Sequence, residues 1–490
     1  MSPINLLPAP PFGPLPTGNQ TATRVQPPAT PWINDGNLKA TYENGTLLLE
    51  TGERSDTIVI DQHANGCLNV NVNGIAYDFP ATYTSKGKQK AIELHIKSNG
   101  GNDKVSIRPY VMLKAIVESG DGNDSIYAGG GDTRLFGGRG NDILWLGSGT
   151  GYAEGNEDND TLIGGTGNNA LYGNNGRDWM YAGPGTANKQ SHMDGGAEHD
   201  QMFAGNGHTV MNGGRGNDQM YGNDRTTFYT GEGSDSVHSH NSKDLIYAKR
   251  SDKLDTAAGT NVTYVKPDRS GEHAFAFKGT PRFIQRVHDD LDLLRSSPAA
   301  QQLLAKLDIA AQNGAPILVR ESEKDENYYT FYSHQLTDLR KQEKLPENDE
   351  ASAYGYIQNG VPGSRADKGK VYYNPSFVHD TASLVSPPVI QLYHELIHAK
   401  NGAEGMRLPG TTQELVKSFP SKKVPNDERQ TIGLPTTAPA FDFDNDPATP
   451  PTSTNPAPFT ENALNQEMGK PLRRYFTLVP KPAGAAAHKP

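Results

Sequence analysis

The sequence predicts a multidomain chain: a parallel β-roll, a form of β-solenoid, followed by an α+β domain. Three observations predict it. Of the 53 glycines, 31 fall between Gly100 and Gly233, so one segment has its own architecture. Inside that segment an apolar residue returns every nine positions, from Ile126 to Met220. That period suits neither a helix nor a lone strand and marks stacked coils. Beyond about residue 241, helical apolar spacing alternates with strand-like runs, the pattern of a mixed domain.

A length of 490 residues suggests two to four domains. The divisions read from composition are a Pro-rich tail over 1–36, a β-rich region over 37–97, the roll over 98–240, a connector over 241–278, the α+β domain over 279–480 and a flexible tail over 481–490. The net charge of −10 argues against nucleic acid as a partner and suits cation binding. The single cysteine, Cys67, excludes an intramolecular disulfide and a cysteine-ligated zinc site, and is expected to be buried. No apolar run reaches the ~18 residues of a membrane span. The start MSPINLLPAPPFGPLPTGNQ lacks the basic and apolar parts of a Sec signal peptide. Its first acidic residue is Asp35, so it either resembles a type III secretion signal or is an ordinary disordered tail.

Elements follow in order. Strand signals occur at TLLLET, DTIVID, CLNVNVNG and AIELHIK within 37–97. After the glycine-rich block, Phe283, Ile284, Val287, Leu291 and Leu294 share a helical face. Ser297 and Pro298 start a second helix that ends near Gly314. Strands are expected at APILVRES, YYTFYSH and GKVYYNP, and a helix over Pro387–Lys400. Residues 436–458 read as a long surface loop, ENALNQEMG as a short helix and RRYFTLV as a final strand.

The repeat aligns on Ile126, Leu135, Leu144, Ala153, Leu162, Leu171, Met180, Met193, Met202, Met211 and Met220, with one four-residue insertion before Met193. Two positions before each of these, alternate repeats carry Asp124, Asp142, Asp160, Asp178, Asp200 and Asp218. The intervening repeats carry Thr133, Gly151, Asn169, Ser191 and Thr209. Glycine permits tight turns with exposed carbonyls, and Asp supplies the hard oxygen that Ca²⁺ prefers. The runs Gly137–Leu144 and Gly213–Met220 resemble the RTX repeat, GGxGxDxUx. The resemblance implies a β-roll with calcium between turns stacked on one edge. The Asp alternation predicts calcium on that edge alone, with neutral ladders of Thr, Asn and Ser on the other. The turns Gly155–Asp160 and Gly195–Asp200 depart from the pattern, the second with Glu198 in a glycine position. A roll of this kind is expected to be loose at low calcium and ordered at millimolar calcium.

The sharpest chemical signal is His394-Glu395-Leu396-Ile397-His398. Histidines at i and i+4 share a helix face, so both can hold one Zn²⁺, with Glu395 beside it as general base. A third protein ligand is needed. Asn401 and Glu404 stand where a metzincin has Gly and His, so that pattern fails. Glu428, Asp427, Glu414 and Glu404 are the acidic candidates; Glu428 also reads as a helix N-terminal charge.

HELIHA together with Asn426–Leu434 resembles the zinc endopeptidase light chains of clostridial neurotoxins. Through a shared Thr-x-Gly register the resemblance implies Glu428 as the third ligand. The region from about Pro281 to Tyr475 resembles the NleD-type effector metalloproteases, through GKVYYNPS, HELIHAKNG, NDERQTIGLP and TENALNQEMGKPLRRYF. That resemblance implies a zincin-like fold and a host-protein substrate, a host kinase in known family members. Light chains use an Arg-x-x-Tyr pair as oxyanion donors. Here Phe476 takes the Tyr place and Tyr475 is offset by one, so Arg473 and Tyr475 are the expected donors. The expected function is a zinc-dependent endopeptidase fused to a calcium-binding roll, in a secreted, monomeric effector or toxin acting on a protein or peptide. The alternative is a non-enzymatic secreted calcium-binding adhesin with a degenerate protease domain.

Overall fold

The structure is a computed structural model and describes residues 24–25, 32–342, 355–381, 384–416 and 420–477. Most of the expected N-terminal tail and all of the 481–490 tail lie outside the described residues. Within the former, Trp32–Asn34 is a strand rather than tail, paired antiparallel with Lys39–Glu43, because Ile33 is buried. Among the described residues the chain divides into two compact units. One runs to Thr209 and includes Gln219–Asp224; the other comprises Val210–Asp218 and everything from Arg225. No described helix is long and apolar enough to cross a membrane.

The first unit holds most of a parallel β-roll. One sheet stacks Val105, Ile126, Leu144, Leu162 and Met180 inward; the other stacks Ile96, Val117, Leu135, Ala153, Leu171 and Met193. All of these are at 0 % exposure. Burying each large member contributes roughly 1.5–3 kcal/mol, so the nine-residue apolar spacing is the main source of the stack's stability. Facing outward, rings ladder along the strands: Tyr127 lies 6.3 Å from Trp145, and Phe203 stacks on Tyr221 at 4.8 Å.

The 37–97 region closes the N-terminal end. Thr57–Gln62, Cys67–Val72 and Ile75–Pro80 form an antiparallel meander, and Thr57–Gln62 also pairs in parallel with Lys104–Ile107. Thr46–Glu50 does the same with Glu93–Lys97. Antiparallel hairpins thus cover sheet edges that a bare solenoid would expose. Cys67 is half-buried, not buried as expected, because it opens its strand.

Two irregular turns keep the roll's geometry. Asn156 (φ 85°), Asp158 (φ 75°) and Glu198 (φ 82°) adopt the left-handed conformation that glycine holds elsewhere. At Gly138 (φ 121°) glycine is obligatory, since a Cβ there would lie 2.0 Å from the Gly120 carbonyl oxygen.

The neutral ladder expected on the second edge takes another form. Thr133 Oγ1 donates to Gly131 O in its own turn. Coil-to-coil bonds come from residues one earlier: Asp132 accepts from Thr150 N–H and Asn168 from Gln190 N–H. In the four-residue insertion, Lys189 Nζ donates to Ala182 O, Gly165 O, Pro184 O and Gly183 O at 2.5–3.1 Å.

The solenoid strands extend past the expected limits of 98–240, from Glu93–Lys97 to Asn261–Tyr264. In the second unit, Arg225–Tyr229, Leu245–Ala248 and Asn261–Tyr264 continue in parallel register, so much of the expected connector is roll. These coils lack the glycine-rich signature, which is why composition did not reveal them. Their Tyr229 joins Val210 in one apolar core with Phe283, Leu294, Leu304 and Val371.

The rest of the second unit is α+β. A four-stranded sheet runs Phe275–Lys278, Ile317–Glu321, Lys368–Tyr373, Tyr328–Tyr332 in spatial order, with only the last strand antiparallel. The described helices are α1 (Pro281–Ser296), α2 (Pro298–Gln312), α3 (His334–Lys341), α4 (Pro388–Glu404), α5 (Asn426–Ile432) and α6 (Glu461–Glu467). Thr280 and Ser297 cap α1 and α2 through their side chains, with Pro at the first turn of each. The 436–458 loop is not merely surface: Ala438, Phe441 and Phe443 bury against Ile357 and Leu408. Arg473–Thr477 form no strand, because Arg473 folds back onto Asn462 and Glu461.

The strain at Glu198 makes a test. Glu198→Gly is expected to stabilise the calcium-saturated protein by about 0.5–1 kcal/mol, since its exposed ion pair with Arg177 contributes little. Gly138→Ala should destabilise it by several kcal/mol, on the order of 3, because backbone must move. Urea unfolding midpoints read both.

Candidate metal centres

Helix α4 starts at Pro388 and ends at Gly405, whose φ of 70° stops it. It is buried on nearly every side, as the central helix of its unit. Gly402 lets Tyr329 pack closely here, since a Cβ would lie 2.6 Å from Tyr329 Oη. The helix carries His394 and His398 one turn apart, with their Nε2 atoms 3.2 Å from each other. Glu428, from the first turn of α5, brings Oε2 to 3.4 Å from both. Among the described residues, these three bring donor atoms close enough together for a single ion.

The surroundings decide which ring nitrogens face the centre. Glu461, the first residue of α6, accepts from His394 Nδ1–H at 2.8 Å. Thr431 Oγ1 donates to Asp427 O at 2.9 Å, which leaves its lone pair to accept from His398 Nδ1–H at 3.3 Å. Both rings therefore carry their proton on Nδ1 and turn Nε2 lone pairs toward one point beside a carboxylate. Two lone pairs and an anion converging in a buried place fit a divalent cation.

The other acidic candidates are engaged elsewhere. Asp427 pairs with Arg407, Glu414 with Arg429 at 2.6 Å, and Glu404 with Lys400 at 2.8 Å. Glu395 lines the same cleft of ≈600 Å³ as the three donors. Burial pushes its carboxyl up, opposed by His394 and His398.

Two expectations are corrected. Tyr475 is 42 % exposed and is not part of the cleft wall, which Arg473, Phe476 and Thr477 form at that point. Arg473 reaches the site by a different role. Its guanidinium donates to Glu461 Oε2 at 2.8 Å and to the carbonyls of Tyr475 and Phe476 at 3.1 and 2.9 Å. It is a positioning residue for Glu461 rather than a free donor. Burial pushes the Glu461 carboxyl up, but Arg473 and His394 outweigh it and bring it down to about 2. Glu461 was missed in the sequence, where an acidic residue after Thr460 reads only as a helix N-terminal charge.

The repeat aspartates form a second centre. In each, Oδ1 accepts the backbone N–H of the aspartate one coil earlier: Asp124 N–H to Asp142, Asp142 N–H to Asp160, Asp160 N–H to Asp178 and Asp178 N–H to Asp200, at 2.7–2.8 Å. Asp103 joins upstream, donating to Asp124 Oδ1 at 2.7 Å. The Oδ2 atoms of Asp103, Asp124, Asp142, Asp160 and Asp178 are buried with no hydrogen-bond partner. Burial pushes Asp142 up to about 8 and Asp160 to about 9. At Gly137 the Asp142 Oδ2 and the Gly155 carbonyl converge where a Cβ would stand, at 2.2 and 2.8 Å from it. Unpaired buried oxygens beside turn carbonyls fit a hard cation. In the second unit Asp218 N–H donates to Asp235 Oδ1 at 2.9 Å, and Gly213 lies against Asp218 Oδ2 in the same way.

Comparison with known proteins agrees with this division. No curated protein and no solved structure matches the chain. Residues 117–152, 154–186 and 194–224 match the RTX calcium-binding nonapeptide repeat, and residues 272–476 match the Peptidase_M91 family, described as an effector protein. The chain thus carries RTX calcium-binding repeats followed by an effector peptidase-family region.

Proposed function

We propose that the chain is a zinc-dependent endopeptidase fused to a calcium-binding roll, with His394, His398 and Glu428 as the zinc ligands and Glu395 as general base. The observation that carries the reading is the convergence of two Nε2 lone pairs and one carboxylate oxygen within 3.2–3.4 Å, beside a second, buried carboxylate. Two nitrogen donors and one carboxylate oxygen suit zinc better than calcium or magnesium, which prefer oxygen throughout. Bound there, zinc supplies Lewis-acid activation of water and of a peptide carbonyl.

The chain's own residues do the rest. Glu395, raised by burial, takes a proton from the attacking water and returns it to the departing amine nitrogen. Glu461 holds the proton of His394 on Nδ1, and Arg473 holds Glu461. Phe377, Leu384 and Phe476 supply apolar cleft wall, and His379 and Tyr328 in the same lining are placed for substrate polar groups. Asp124, Asp142, Asp160, Asp178, Asp200 and Asp218 serve as calcium ligands on one edge of the roll. The reading includes secretion and a host-protein substrate, with kinases the class that the family resemblance implies.

Four outcomes test this. Purified protein should contain zinc, and His394→Ala should lose it. Glu395→Gln should lower kcat/KM on a protein substrate by about 10²–10⁴-fold while zinc content is unchanged; full activity in that variant sinks the mechanism. Glu461→Gln should weaken zinc binding by about 10–100-fold in chelator competition. Chelating calcium from the full chain should reduce its β-sheet circular dichroism, with recovery at about 1 mM calcium.

A further inference from the structure

The aspartate ladder does not stop where the repeats do. Beyond Asp218, Asp235 N–H donates to Asp252 Oδ1 at 3.3 Å, so two more carboxylates continue the stack at 17-residue spacing. One of these carboxylates differs from those upstream in the partner of its second oxygen. Upstream, from Asp103 to Asp178, Oδ2 has no hydrogen-bond partner. At Asp235, Oδ2 accepts from Lys249 Nζ at 2.8 Å. The same ammonium donates to the Gly231 carbonyl at 2.5 Å and to Thr230 Oγ1 at 3.3 Å, and lies 3.2 Å from Asp252 Oδ1. The side chains of Asp235 and Asp252 are fully buried, and that of Lys249 is 17 % exposed.

We infer that Lys249 is a chain-borne cation standing where a divalent ion would otherwise be held, so the calcium ladder ends at Asp218 and the next coil is satisfied without calcium. The ammonium's partners are two carboxylates, a hydroxyl and a glycine-turn carbonyl, an all-oxygen set like the one offered upstream. The same device occurs independently on the other edge. Lys189, only 3 % exposed, seats its ammonium on four turn carbonyls with no carboxylate among them.

The position of Lys249 has a consequence for the second unit. Beside its partner Thr230, Tyr229 donates from Oη to Glu467 Oε1 at 2.9 Å. Tyr247 Oη donates to Glu467 O, and Thr227 Oγ1 to Met468 O, both at 2.9 Å. Glu467 ends α6, and Glu461 at its start orients His394. A coil held by its own lysine keeps α6 seated when calcium is scarce. That consequence rests on the peptidase reading; the lysine assignment does not.

The test uses the full chain with Lys249→Met. In EGTA its thermal midpoint should fall by on the order of 10 °C relative to the parent, because two buried carboxylates lose their cation. Calcium at about 1 mM should restore it, and calcium counting by native mass spectrometry should show one ion more per chain than the parent. Asp235→Asn combined with Lys249→Met should show neither the extra ion nor calcium-dependent recovery. An unchanged midpoint in EGTA would overturn the inference, because the coil would need no cation. So would a loss that calcium does not repair with an unchanged ion count, because Lys249 would then be an ordinary ion pair. If Lys249→Met folds only when produced in calcium, the inference stands; failure to fold in both conditions overturns it. Zinc content, read in the same samples, separates these results from the peptidase reading.

Discussion

Removing a carboxylate from water costs several kcal/mol unless a cation or a set of donors faces it. This molecule buries carboxylates repeatedly, and the answer it gives at each place sets the local structure. In the roll, aspartates such as Asp142 and Asp178 turn one oxygen to a backbone N–H of the neighbouring coil and the other toward a turn carbonyl. The first bond fixes coil-to-coil register, and the second oxygen waits for charge. Register and cation binding are therefore two halves of one side chain. In the second unit Glu461 meets the same difficulty between Arg473 and His394. Each time the partner that relieves the carboxylate is also the group that the chemistry needs oriented.

The His394–His398–Glu428 cluster and its support depend on three pieces of chain that are far apart in sequence, and each is held by local rules. Helix α4 supplies spacing: two histidines one turn apart can only face the same way. Helix α5 is short, and tertiary bonds rather than propensity hold it. Asn426 accepts from Thr412 Oγ1 at 2.7 Å, and Gln430 accepts from Leu408 N–H at 2.9 Å. Helix α6 is capped by Thr460 and pinned at its far end by tyrosines of the last roll coils. A short helix tied at both ends can position Glu461 more precisely than its own seven residues would allow.

How much of this was legible beforehand follows from range. The inward residues of the roll were readable because every coil repeats one local rule, an apolar side chain after a glycine turn, and all eleven aligned residues prove fully buried. Asp103, Asp235 and Asp252 escaped because their steps to the neighbouring aspartate, 21, 17 and 17 residues, break the 18-residue period, although their hydrogen bonds join the same ladder. The coils after residue 241 escaped for a related reason: their turns use Asn, Ser and Lys instead of glycine pairs. Helices α1, α2 and α4 declared themselves through capping residues and apolar spacing, whereas the polar α3 did not. At the metal centre, spacing identified two donors. Among the four acidic candidates the resemblance implied Glu428 for the third; the residues alone could not show that Arg407 and Arg429 occupy Asp427 and Glu414, which is tertiary information, whereas the Lys400–Glu404 pair is local to one helix. Tyr475 misled because an offset of one residue in an irregular segment turns a side chain away, and no local rule records which neighbour faces inward.

A ladder of carboxylates also has ends, and its ends are where a repeat protein is weakest. An interior aspartate has a coil on both sides, so its N–H and Oδ1 are both used and an ion between turns serves two coils. A terminal one lacks half of that. At the N-terminal end Asp56 closes the series: its N–H goes to Asp103 Oδ1 at 2.7 Å, and its own Oδ1 accepts from Asn73 Nδ2 at 2.6 Å. At the other end stand Asp235 and Asp252 with the ammonium of Lys249. One end is finished by a neutral amide from a hairpin and the other by a tethered charge, and neither requires a dissociable ion. The difference matches what lies beyond each end. Upstream, among the described residues, lies the antiparallel cap, which can tolerate a weak closure. Downstream the same coil shares its apolar core with α1, α2 and α4, so loosening it would expose Phe283, Leu294 and Leu304 as well. A covalently attached cation cannot be diluted away, and it sits at the coil whose loss would cost most.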